Sequence, residues 1–301
     1  IKITNRVQHL RLESAVSWPC SVLVDGNGKV QIKLTKRKPG LWSRYGTLET
    51  SPENVAEYWE VTIVNSSVIT HDTRQIDFMY TQNVYNYIPV GHHVFVKANI
   101  NGEDVVRPYT PVSSLAGISI PPAGCVRLLV KGYPSGTLSS WLTSQPIGTR
   151  LHLSLPLGSF NVQPLATITH LMLLAAGTGF TPMIPLITWA LRSTRSKVQL
   201  IFFNKSEKDI IWQEQLNKLM ADNARFSVEH ILSEPSSQWS GKTGHINLSL
   251  LQSYLPVSSV DIPNTYYVCV CGPTSFTQLT ERCLKEDLGY TTNNYYCFLG
   301  Q

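Results

Sequence analysis

The fold of this chain is decided by the stretch Leu171-Met-Leu-Leu-Ala-Ala-Gly-Thr-Gly-Phe-Thr-Pro-Met183. Its apolar run predicts a strand, and Gly177-Thr178-Gly179 predicts a tight turn. Thr181 and Pro182 then predict the start of a helix, as its N-cap and first helical residue. Free N–H groups and the helix dipole would point at the turn, so the arrangement favours a bound anion. The alternative is a tight βα turn that holds no ligand.

Residues 171–191 carry no charged side chain, which is also a property of membrane-spanning helices. Gly177, Gly179, Pro182 and Pro185 fall in the middle of that span. A turn between a strand and a helix explains these residues better than a helix in a bilayer does. We therefore predict that the chain has no transmembrane segment.

The composition indicates a globular protein with an uneven charge. The chain has 301 residues, 43% of them hydrophobic and 15% charged, which suggests two domains or more. Residues 1–50 contain nine Lys or Arg and three Asp or Glu, a charge of +6, and residues 51–301 contain sixteen and seventeen, a charge of −1, so the net charge of +5 comes from the N-terminal segment. Such a basic segment can face an acidic protein, anionic lipid or nucleic acid, or can simply be solvated. The partners that we predict for the chain do not include a nucleic acid.

The cysteines are scattered and show neither a Cys-x-x-Cys pair nor a metal-ligand spacing with histidine. The six positions are Cys20, Cys125, Cys269, Cys271, Cys283 and Cys297. This pattern favours free thiols in a reducing compartment, and it predicts a cytoplasmic protein without a metal site. Peripheral attachment to the endoplasmic reticulum stays open. Because residue 1 is Ile, we expect that a targeting signal or a further domain can precede it.

Residues 1–50 are predicted to form short strands. Val30–Lys36 alternates apolar and polar side chains and follows the turn at residues 25–28, Asp-Gly-Asn-Gly. A basic stretch, Lys36-Arg-Lys-Pro-Gly-Leu-Trp42, then ends in a large aromatic residue. The segment resembles the C-terminal half of a CS domain, a β-sandwich found in co-chaperones. An ordinary β extension of the following domain is the alternative, and residues 51–56 are predicted to be a linker.

The pattern from residue 57 to residue 163 is typical of a six-stranded antiparallel barrel. One helix, Thr137–Thr143, interrupts the strands. The predicted strands are Tyr58–Val64, Arg74–Tyr80, His93–Ile100, Glu103–Tyr109, Cys125–Tyr133 and Arg150–Leu155.

Residues 164–301 alternate strands and helices, which predicts a five-stranded parallel, doubly wound sheet. The predicted strands are 169–175, 198–204, 226–233, 265–271 and 295–299, and the predicted helices are 181–192, 207–222, 247–254 and 274–287. In the second helix Trp212, Leu216 and Leu219 would form one buried face. Ligands of such sheets bind at the carboxyl ends of the strands. The fold class is therefore β followed by α/β.

Four motifs fall at strand ends where they could bind a dinucleotide. Arg107-Pro108-Tyr109-Thr110 offers a phosphate grip, a flat ring and a hydroxyl group. Lys131-Gly-Tyr133, followed by Gly136-Thr-Leu-Ser139, places N–H groups and a hydroxyl at a helix start, which suits a pyrophosphate. The other two motifs are Ala176-Gly-Thr-Gly-Phe-Thr-Pro-Met183 and Cys271-Gly272-Pro273.

In this order the four motifs resemble the cytochrome b5 reductase group of the ferredoxin-reductase flavoprotein superfamily. Members of this group pair a FAD-binding barrel with an NAD(P)H-binding domain. With the CS-like segment ahead of them, the motifs resemble the branch in which a b5 domain, a CS domain and a reductase are fused. The b5 domain and the first half of the CS domain would be absent from this sequence. The resemblance covers about 240 residues.

The resemblance implies an electron-transfer reaction. Hydride would pass from NADH or NADPH to FAD, and single electrons would then pass to a b5-type haem or a similar acceptor. The haem domain would belong to the same full-length chain, and a separate protein could bind the CS-like segment. The reaction requires positioning in a water-poor cleft and no acid–base dyad.

The resemblance also implies a role for each motif residue. Thr110 would bond near flavin N5 and Cys271 would lie beside the nicotinamide, so these two are the predicted catalytic residues. Lys131 would help to position the dinucleotide, and residues 89–93 would flank the flavin. The remaining residues predicted to bind FAD are Arg107, Pro108, Tyr109, Tyr133, Gly136, Thr137, Leu138 and Ser139. Those predicted to bind the nicotinamide coenzyme are Gly177, Thr178, Gly179, Thr181, Ser233, Gly272 and Pro273.

Two positions depart from the pattern of the resembling family. Ala176 stands where the family usually has Gly, and we expect tighter packing there without loss of binding. Ser233 stands where NADH-preferring members tend to carry Asp, so the charge that repels the 2′-phosphate of NADPH is missing. Lys205 could attract that phosphate, whereas the neighbouring Glu234 could replace the missing carboxylate. We predict that the chain uses both coenzymes.

Two other functions remain open at the level of sequence. One is another branch of the superfamily, such as a flavohaemoprotein, a nitrate reductase or a ferredoxin reductase. The lack of a cysteine ligand set argues against iron–sulfur fusions. The other is a co-chaperone or scaffold in which the CS-like segment binds a partner and the reductase fold is inert.

Overall fold

The structure is a computed structural model of the chain. It describes residues 34–38, 40, 58–81, 88–112, 115, 118–122, 124–256 and 265–298 in full. Within residues 1–50 it also gives the backbone of five strands, and their bounds are β1 (Lys2–Ile3), β2 (Arg6–Arg11), β3 (Val16–Val24), β4 (Val30–Lys36) and β5 (Thr47–Thr50).

The N-terminal strands form two small antiparallel sheets. One has the order β1-β2-β5 and the other is the β3-β4 hairpin. The strand predicted over Val30–Lys36 is confirmed with the same bounds. At its end the Lys36 ammonium donates a hydrogen bond to the Gly40 carbonyl at 2.5 Å. The predicted turn at 25–28, the anchor Trp42 and the linker at 51–56 lie outside the described residues.

The next domain is a six-stranded antiparallel sheet with the order β10-β7-β6-β11-β8-β9, curled into a half-barrel. The strands are β6 (Tyr58–Val68), β7 (Thr73–Tyr80), β8 (Val94–Ile100), β9 (Glu103–Tyr109), β10 (Cys125–Lys131) and β11 (Arg150–Ser154). Helix α1 (Thr137–Ser144) packs against β8, β9 and β10. Leu138 and Leu142 of this helix complete the apolar core of the barrel. The predicted barrel is confirmed.

A buried ion pair connects two strands of the barrel. The Arg127 guanidinium on β10 donates to both carboxylate oxygens of Asp77 on β7, at 2.6 and 2.9 Å, and to the Ser119 carbonyl at 2.6 Å. Both charged side chains are almost wholly buried. The two bonds to Asp77 pair the charge of the buried guanidinium, and the third bond holds the loop after β9 against the sheet.

The C-terminal domain is a parallel sheet with the order β15-β14-β13-β12-β16-β17. The strands are β12 (His170–Ala176), β13 (Lys197–Asn204), β14 (Phe226–Leu232), β15 (Lys242–Thr243), β16 (Tyr266–Cys271) and β17 (Tyr295–Phe298). The helices are α2 (Met183–Ser193), α3 (Gln213–Asp222), α4 (Leu248–Tyr254) and α5 (Thr274–Arg282). The prediction of five strands was wrong by one, because the two-residue β15 pairs with the end of β14.

The sheet is covered on both faces, as a doubly wound fold requires. Along β12, Leu171 and Leu173 pack into one buried cluster, whereas Met172 and Leu174 pack into another. Alternate residues of a strand point to opposite faces, so an unbroken apolar run fits a strand that is buried on both sides.

Three predicted helices need correction. The helix expected over 207–222 begins only at Gln213, because Trp212 adopts a left-handed conformation (φ 55°) after a 3-10 turn at Glu207–Asp209. Trp212 and Leu216 still share one core, although Trp212 precedes the helix. The helix expected over 274–287 ends at Arg282 and continues as a π-helical turn, Cys283–Asp287. The helix expected from 181 begins at Met183.

The two domains share a hydrophobic cluster. The barrel domain and its flanking segments contribute four residues, which pack with Phe180 and its neighbours in the parallel domain. The four residues are Val112, Leu115, Leu129 and Phe160. This cluster fixes the two domains against each other. None of the helices in the described part of the chain is long and apolar enough to cross a membrane.

Candidate functional site: the cleft between the two domains

The turn after β12 lies on the parallel-sheet side of the cleft. Gly177–Phe180 forms a 3-10 turn that begins with Gly177 at φ +53°, in the left-handed region that favours glycine. A β-carbon on Gly177 would meet nothing within 4 Å, so its backbone faces open space. The turn contacts β10 of the barrel domain. We call the carboxyl ends of β12 and β16, with the turns that follow them, the nucleotide edge of the sheet. This edge therefore lies beside the barrel.

Thr181 does not cap helix α2 as predicted. Its backbone is already helical (φ −59°, ψ −43°), because the 3-10 turn leads directly into the helix. Its hydroxyl instead donates to the Thr178 carbonyl at 3.1 Å. Pro182 occupies the N-cap position, one residue before its expected place.

Gly179 is packed tightly against the neighbouring strand end. A β-carbon there would lie 2.1 Å from the Cys271 carbonyl oxygen and 2.7 Å from the Gly272 nitrogen. Strand β16 pairs with β12 up to Cys271, so the two predicted motifs meet side by side at the carboxyl edge. The two motifs predicted to bind the nicotinamide coenzyme are therefore neighbours in the structure.

Cys271 is an inert thiol at this edge. Burial raises the pKa of the Cys271 thiol to about 12, so the thiol stays protonated at neutral pH. It cannot act as a thiolate, which fits a role in shape and contact. Cys269, two residues earlier, is fully buried.

Ala176 and Gly272 pack against each other. A β-carbon on Gly272 would lie 2.9 Å from the Ala176 methyl carbon and 2.7 Å from the Phe276 ring. The extra methyl group at 176 is therefore accommodated by the missing side chain at 272. The following Pro273 leads into α5, with its backbone at φ −53°.

Arg107 and Tyr109 stand at the end of β9 on the barrel side of the cleft. The Arg107 side chain is exposed and donates to the Val106 carbonyl at 2.7 Å. Among the described residues no carboxylate forms an ion pair with it. Burial raises the pKa of Tyr109 to about 12, and the nearby Arg107 opposes this shift. Pro108 and Thr110 are half-buried.

Helix α1 packs against β9, which carries these residues, and against β10. Gly136 at its N-cap is extended, and no side chain caps the helix. The Ser139 hydroxyl lies over Gly136 and accepts a weak bond from the Tyr133 N–H at 3.4 Å. Thr137 and Leu138 follow in the first turn, and Leu138 is buried, so only its backbone can face a ligand.

This donor set fits a flavin dinucleotide. An exposed guanidinium and a helix start without a side-chain cap suit a pyrophosphate, which is anionic and accepts several hydrogen bonds. Tyr133 is 47% exposed, an unusual state for a large aromatic ring and one that suits stacking on a ligand. Both features occur within one corner of the barrel.

The segment 89–93 packs against Phe160, which belongs to the hydrophobic cluster shared by the two domains. Gly91 has φ +77°, and a β-carbon there would lie 2.5 Å from the Phe160 ring. His93 pairs with Leu157 through backbone hydrogen bonds of 2.9 and 2.8 Å. The Phe160 ring in turn contacts Tyr296 and Phe298 of β17.

Lys131 is not a free cation. Its ammonium lies 2.9 Å from an Asp72 carboxylate oxygen and 3.0 Å from an Asp209 oxygen. Asp72 belongs to the barrel domain and Asp209 to the parallel domain. The role predicted for Lys131 toward a dinucleotide stays a prediction, whereas its contact between the domains is a structural fact that the sequence did not indicate.

Ser233 follows β14 at the carboxyl edge. Its N–H donates to the Asn204 carbonyl at 3.1 Å, and the next residue, Glu234, bonds to the Lys205 carbonyl at 2.7 Å. The side chains of Lys205 and Glu234 form an exposed ion pair at 3.3 Å. Lys205, which could attract the 2′-phosphate of NADPH, is therefore paired with Glu234, which could repel it.

Two residues near this edge were missed by sequence reasoning. Asn204 is buried at the end of β13, and neither polar atom of its amide has a partner among the described residues. The Glu207 carboxylate accepts bonds from the Ser236 N–H at 3.0 Å and from its hydroxyl at 2.5 Å. A polar residue that ends an apolar strand is the signal that could have identified Asn204.

Comparison with known proteins agrees with this geometry. Residues 60–162 match the family model of the oxidoreductase FAD-binding domain, and residues 173–282 match that of the oxidoreductase NAD-binding domain. NADH-cytochrome b5 reductase 1 of Mortierella alpina is 30% identical over 251 residues, covering 82% of this chain and 80% of that protein. The chain belongs to the cytochrome b5 reductase family.

Other members of the cytochrome b5 reductase family match nearly the whole chain. Cytochrome b5 reductase 4 of Mus musculus is 38% identical over 313 residues, which cover 99% of this chain and 59% of the relative. The chain thus spans about three-fifths of the length of that curated relative. A structure of the CS-b5R domains of human Ncb5or in its NAD+ form is 36% identical, with a TM-score of 0.81 over 97% of this chain and 85% of that one.

Proposed function

We propose that this chain carries hydride from NADH or NADPH to FAD and passes single electrons to a b5-type haem. One observation carries the proposal: the Gly177–Phe180 turn of the NAD-binding domain contacts β10, whose end leads to Tyr133 and Gly136. This contact supports a single cleft that both sets of predicted ligands would line. Bound FAD would supply an acceptor for one hydride, which carries two electrons, and a donor of those electrons one at a time.

The residues of the chain supply position and exclude water. Arg107 and the start of α1 would hold the pyrophosphate, and Tyr109 would lie against the ring. Gly177, which faces open space, would let the coenzyme approach bare backbone, Gly179 lets the two strand ends pack together, and Cys271 would fill the space beside the coenzyme ring. Thr110 would place its hydroxyl near the flavin edge. The rate of hydride transfer depends on the distance and orientation of the two rings. Contacts that hold the rings in place would therefore accelerate the reaction without an acid–base pair.

Both coenzymes are proposed as donors. The position at Ser233 lacks the carboxylate that would repel a 2′-phosphate, and the nearest exposed carboxylate, Glu234, is paired with Lys205. The ion pair between Lys205 and Glu234 supports at most a modest preference between NADH and NADPH, because each of the two charges offsets the other near the 2′-position of the ribose.

The acceptor and the domain limits are proposed together. Relatives named cytochrome b5 reductase 4 are longer than this chain, which supports a haem domain in the same full-length protein. We assign residues 1–50 to a CS-like segment, 51–56 to a linker, 57–163 to the FAD-binding barrel and 164–301 to the NAD(P)H-binding domain. A protein partner for the CS-like segment and a cytoplasmic location, with or without peripheral attachment to the endoplasmic reticulum, stay predictions.

The visible spectrum of the purified protein tests the function. We expect bound flavin, bleaching of its absorption on anaerobic addition of NADH or NADPH, and reduction of added cytochrome b5 at the expense of the reduced flavin. A colourless protein that releases no flavin on denaturation would instead support a scaffold with an inert reductase fold.

A further inference from the structure

Lys131 joins the two domains through two carboxylates. It ends β10 of the barrel, Asp72 lies in the turn between β6 and β7, and Asp209 ends the 3-10 turn after β13. The ammonium is 2.9 Å from Asp72 and 3.0 Å from Asp209. Only the bond to Asp209 crosses between the domains. A second crossing lies beside it, where His71 Nδ1 is 3.3 Å from the Lys208 carbonyl oxygen.

Each carboxylate is held in place by its own domain. Asp72 accepts bonds from the hydroxyls of Thr70 at 3.0 Å and Thr73 at 3.1 Å. Asp209 accepts bonds from the N–H of Ser206 at 3.0 Å and from its hydroxyl at 2.7 Å. Fixed carboxylates lose little conformational entropy when they bind a cation, so the contact with Lys131 forms at a small entropic cost.

Burial makes this contact stronger than an ordinary surface ion pair. The side-chain exposure is 19% for Lys131 and 7% for Asp209. Burial opposes charge on all three groups, but the two carboxylates outweigh it and raise the pKa of Lys131 above its ordinary value, and bonds to Lys131 help to lower the pKa of Asp72 and of Asp209. All three groups are therefore charged at neutral pH, and salt screens them less than it screens exposed charges.

The cluster is not a metal site. His71, Asp72 and Asp209 bring their ligand atoms within 4.8 Å of one another, a spacing that could hold a cation. The Lys131 ammonium already lies between the two carboxylates and supplies that charge. A divalent ion would have to displace it.

We propose that Lys131, Asp72 and Asp209 form an interdomain charge clasp that positions the NAD-binding domain on the FAD-binding barrel. Lys131 is a positioning residue in this arrangement. Strand β10, which it ends, also contacts the Gly177–Phe180 turn, so the clasp and the nucleotide edge are connected through one rigid strand. Loosening the clasp lets the turn move relative to the flavin side of the cleft.

Hydrogen–deuterium exchange on the FAD-loaded protein without coenzyme tests the clasp directly. Lys131→Met removes the ammonium and leaves the bonds between Ser206 and Asp209 intact. We expect faster amide exchange in residues 205–210, which lie in the other domain. Asp72→Asn is the matched control, because it removes the partner of Lys131 within the barrel but keeps the bond to Asp209, so exchange in residues 205–210 should change less. Unchanged exchange of residues 205–210 in Lys131→Met, or an equal increase there in both variants, would overturn the proposal.

A kinetic measurement, which rests on the proposed function, separates positioning from direct coenzyme binding. At saturating NADH, Lys131→Met and Asp209→Asn should each slow flavin reduction by about tenfold, and the double variant should be no slower than either. If Lys131 binds the coenzyme directly, Asp209→Asn frees it and flavin reduction stays at the wild-type rate, which refutes the clasp. Failure of the wild-type protein to reduce flavin would refute the proposed function and leave the exchange result standing.

Discussion

Replacing Gly179 by alanine should separate the two strand ends that form the nucleotide edge. The new β-carbon would lie 2.1 Å from the Cys271 carbonyl oxygen, and ordinary contact begins at 3.4 Å. The obstacle is backbone, which cannot swing aside as a flexible side chain does. The ends of β12 and β16 must therefore move apart by about 1 Å.

This displacement has two measurable consequences. Overpacking of this kind costs about 1–3 kcal/mol of the free energy of unfolding, so Gly179→Ala should lower the melting temperature of the protein. A shift of about 1 Å in a reacting geometry can slow a reaction on the order of a hundredfold. Flavin reduction by NADH should fall by that order, whereas flavin content should not change, because the FAD motifs lie in the other domain.

Stopped-flow reduction at saturating NADH measures the effect, with flavin content measured by absorbance after denaturation. Gly148→Ala is the matched control: it lies outside the candidate site and its β-carbon meets nothing within 4 Å, so it adds only the strain of a side chain at φ +97°. Flavin reduction at the wild-type rate in Gly179→Ala, or an equally slow rate in Gly148→Ala, would contradict this prediction.

Three further variants address single residues. Arg107→Ala should lower flavin affinity at least about tenfold, since bonds to a charged group are lost, and normal flavin occupancy in the folded variant contradicts this. Cys271→Ala should slow flavin reduction at normal flavin content; an unchanged rate places the thiol in the core only. Ser233→Asp should raise the KM for NADPH far more than that for NADH, unless the native protein already rejects NADPH.

The sequence predicted the strands of both domains well because their apolar patterns reflect burial. Strand β9 was confirmed residue for residue, and the apolar run from 171 was confirmed as the strand His170–Ala176. Short elements and backbone irregularities escaped the same reasoning. The two-residue β15 is too brief to carry a pattern, and the left-handed Trp212 depends on its buried surroundings.

The candidate site was predicted where residues adjacent in sequence form one motif. Arg107 and Tyr109, or Gly177 and Gly179, needed only local reasoning and a resemblance. Contacts between distant segments could not be predicted this way: Lys131 and Asp209 are 78 residues apart. A lysine after a strand and an aspartate in a helix-start pattern each have ordinary local explanations, so neither indicates the other.

The chemistry proposed for this cleft requires residues that position the cofactors and no residue that reacts with them. Hydride and electron transfer require distance and orientation, and neither needs a strong base or a thiolate in the protein. Cys271, the most reactive type of side chain at the nucleotide edge, is held protonated by burial. Gly179, which has no side chain, lets two strand ends approach closely, and Lys131 connects the domains that carry the two cofactors. Variants that change spacing should therefore reduce the rate more than variants that remove a reactive group.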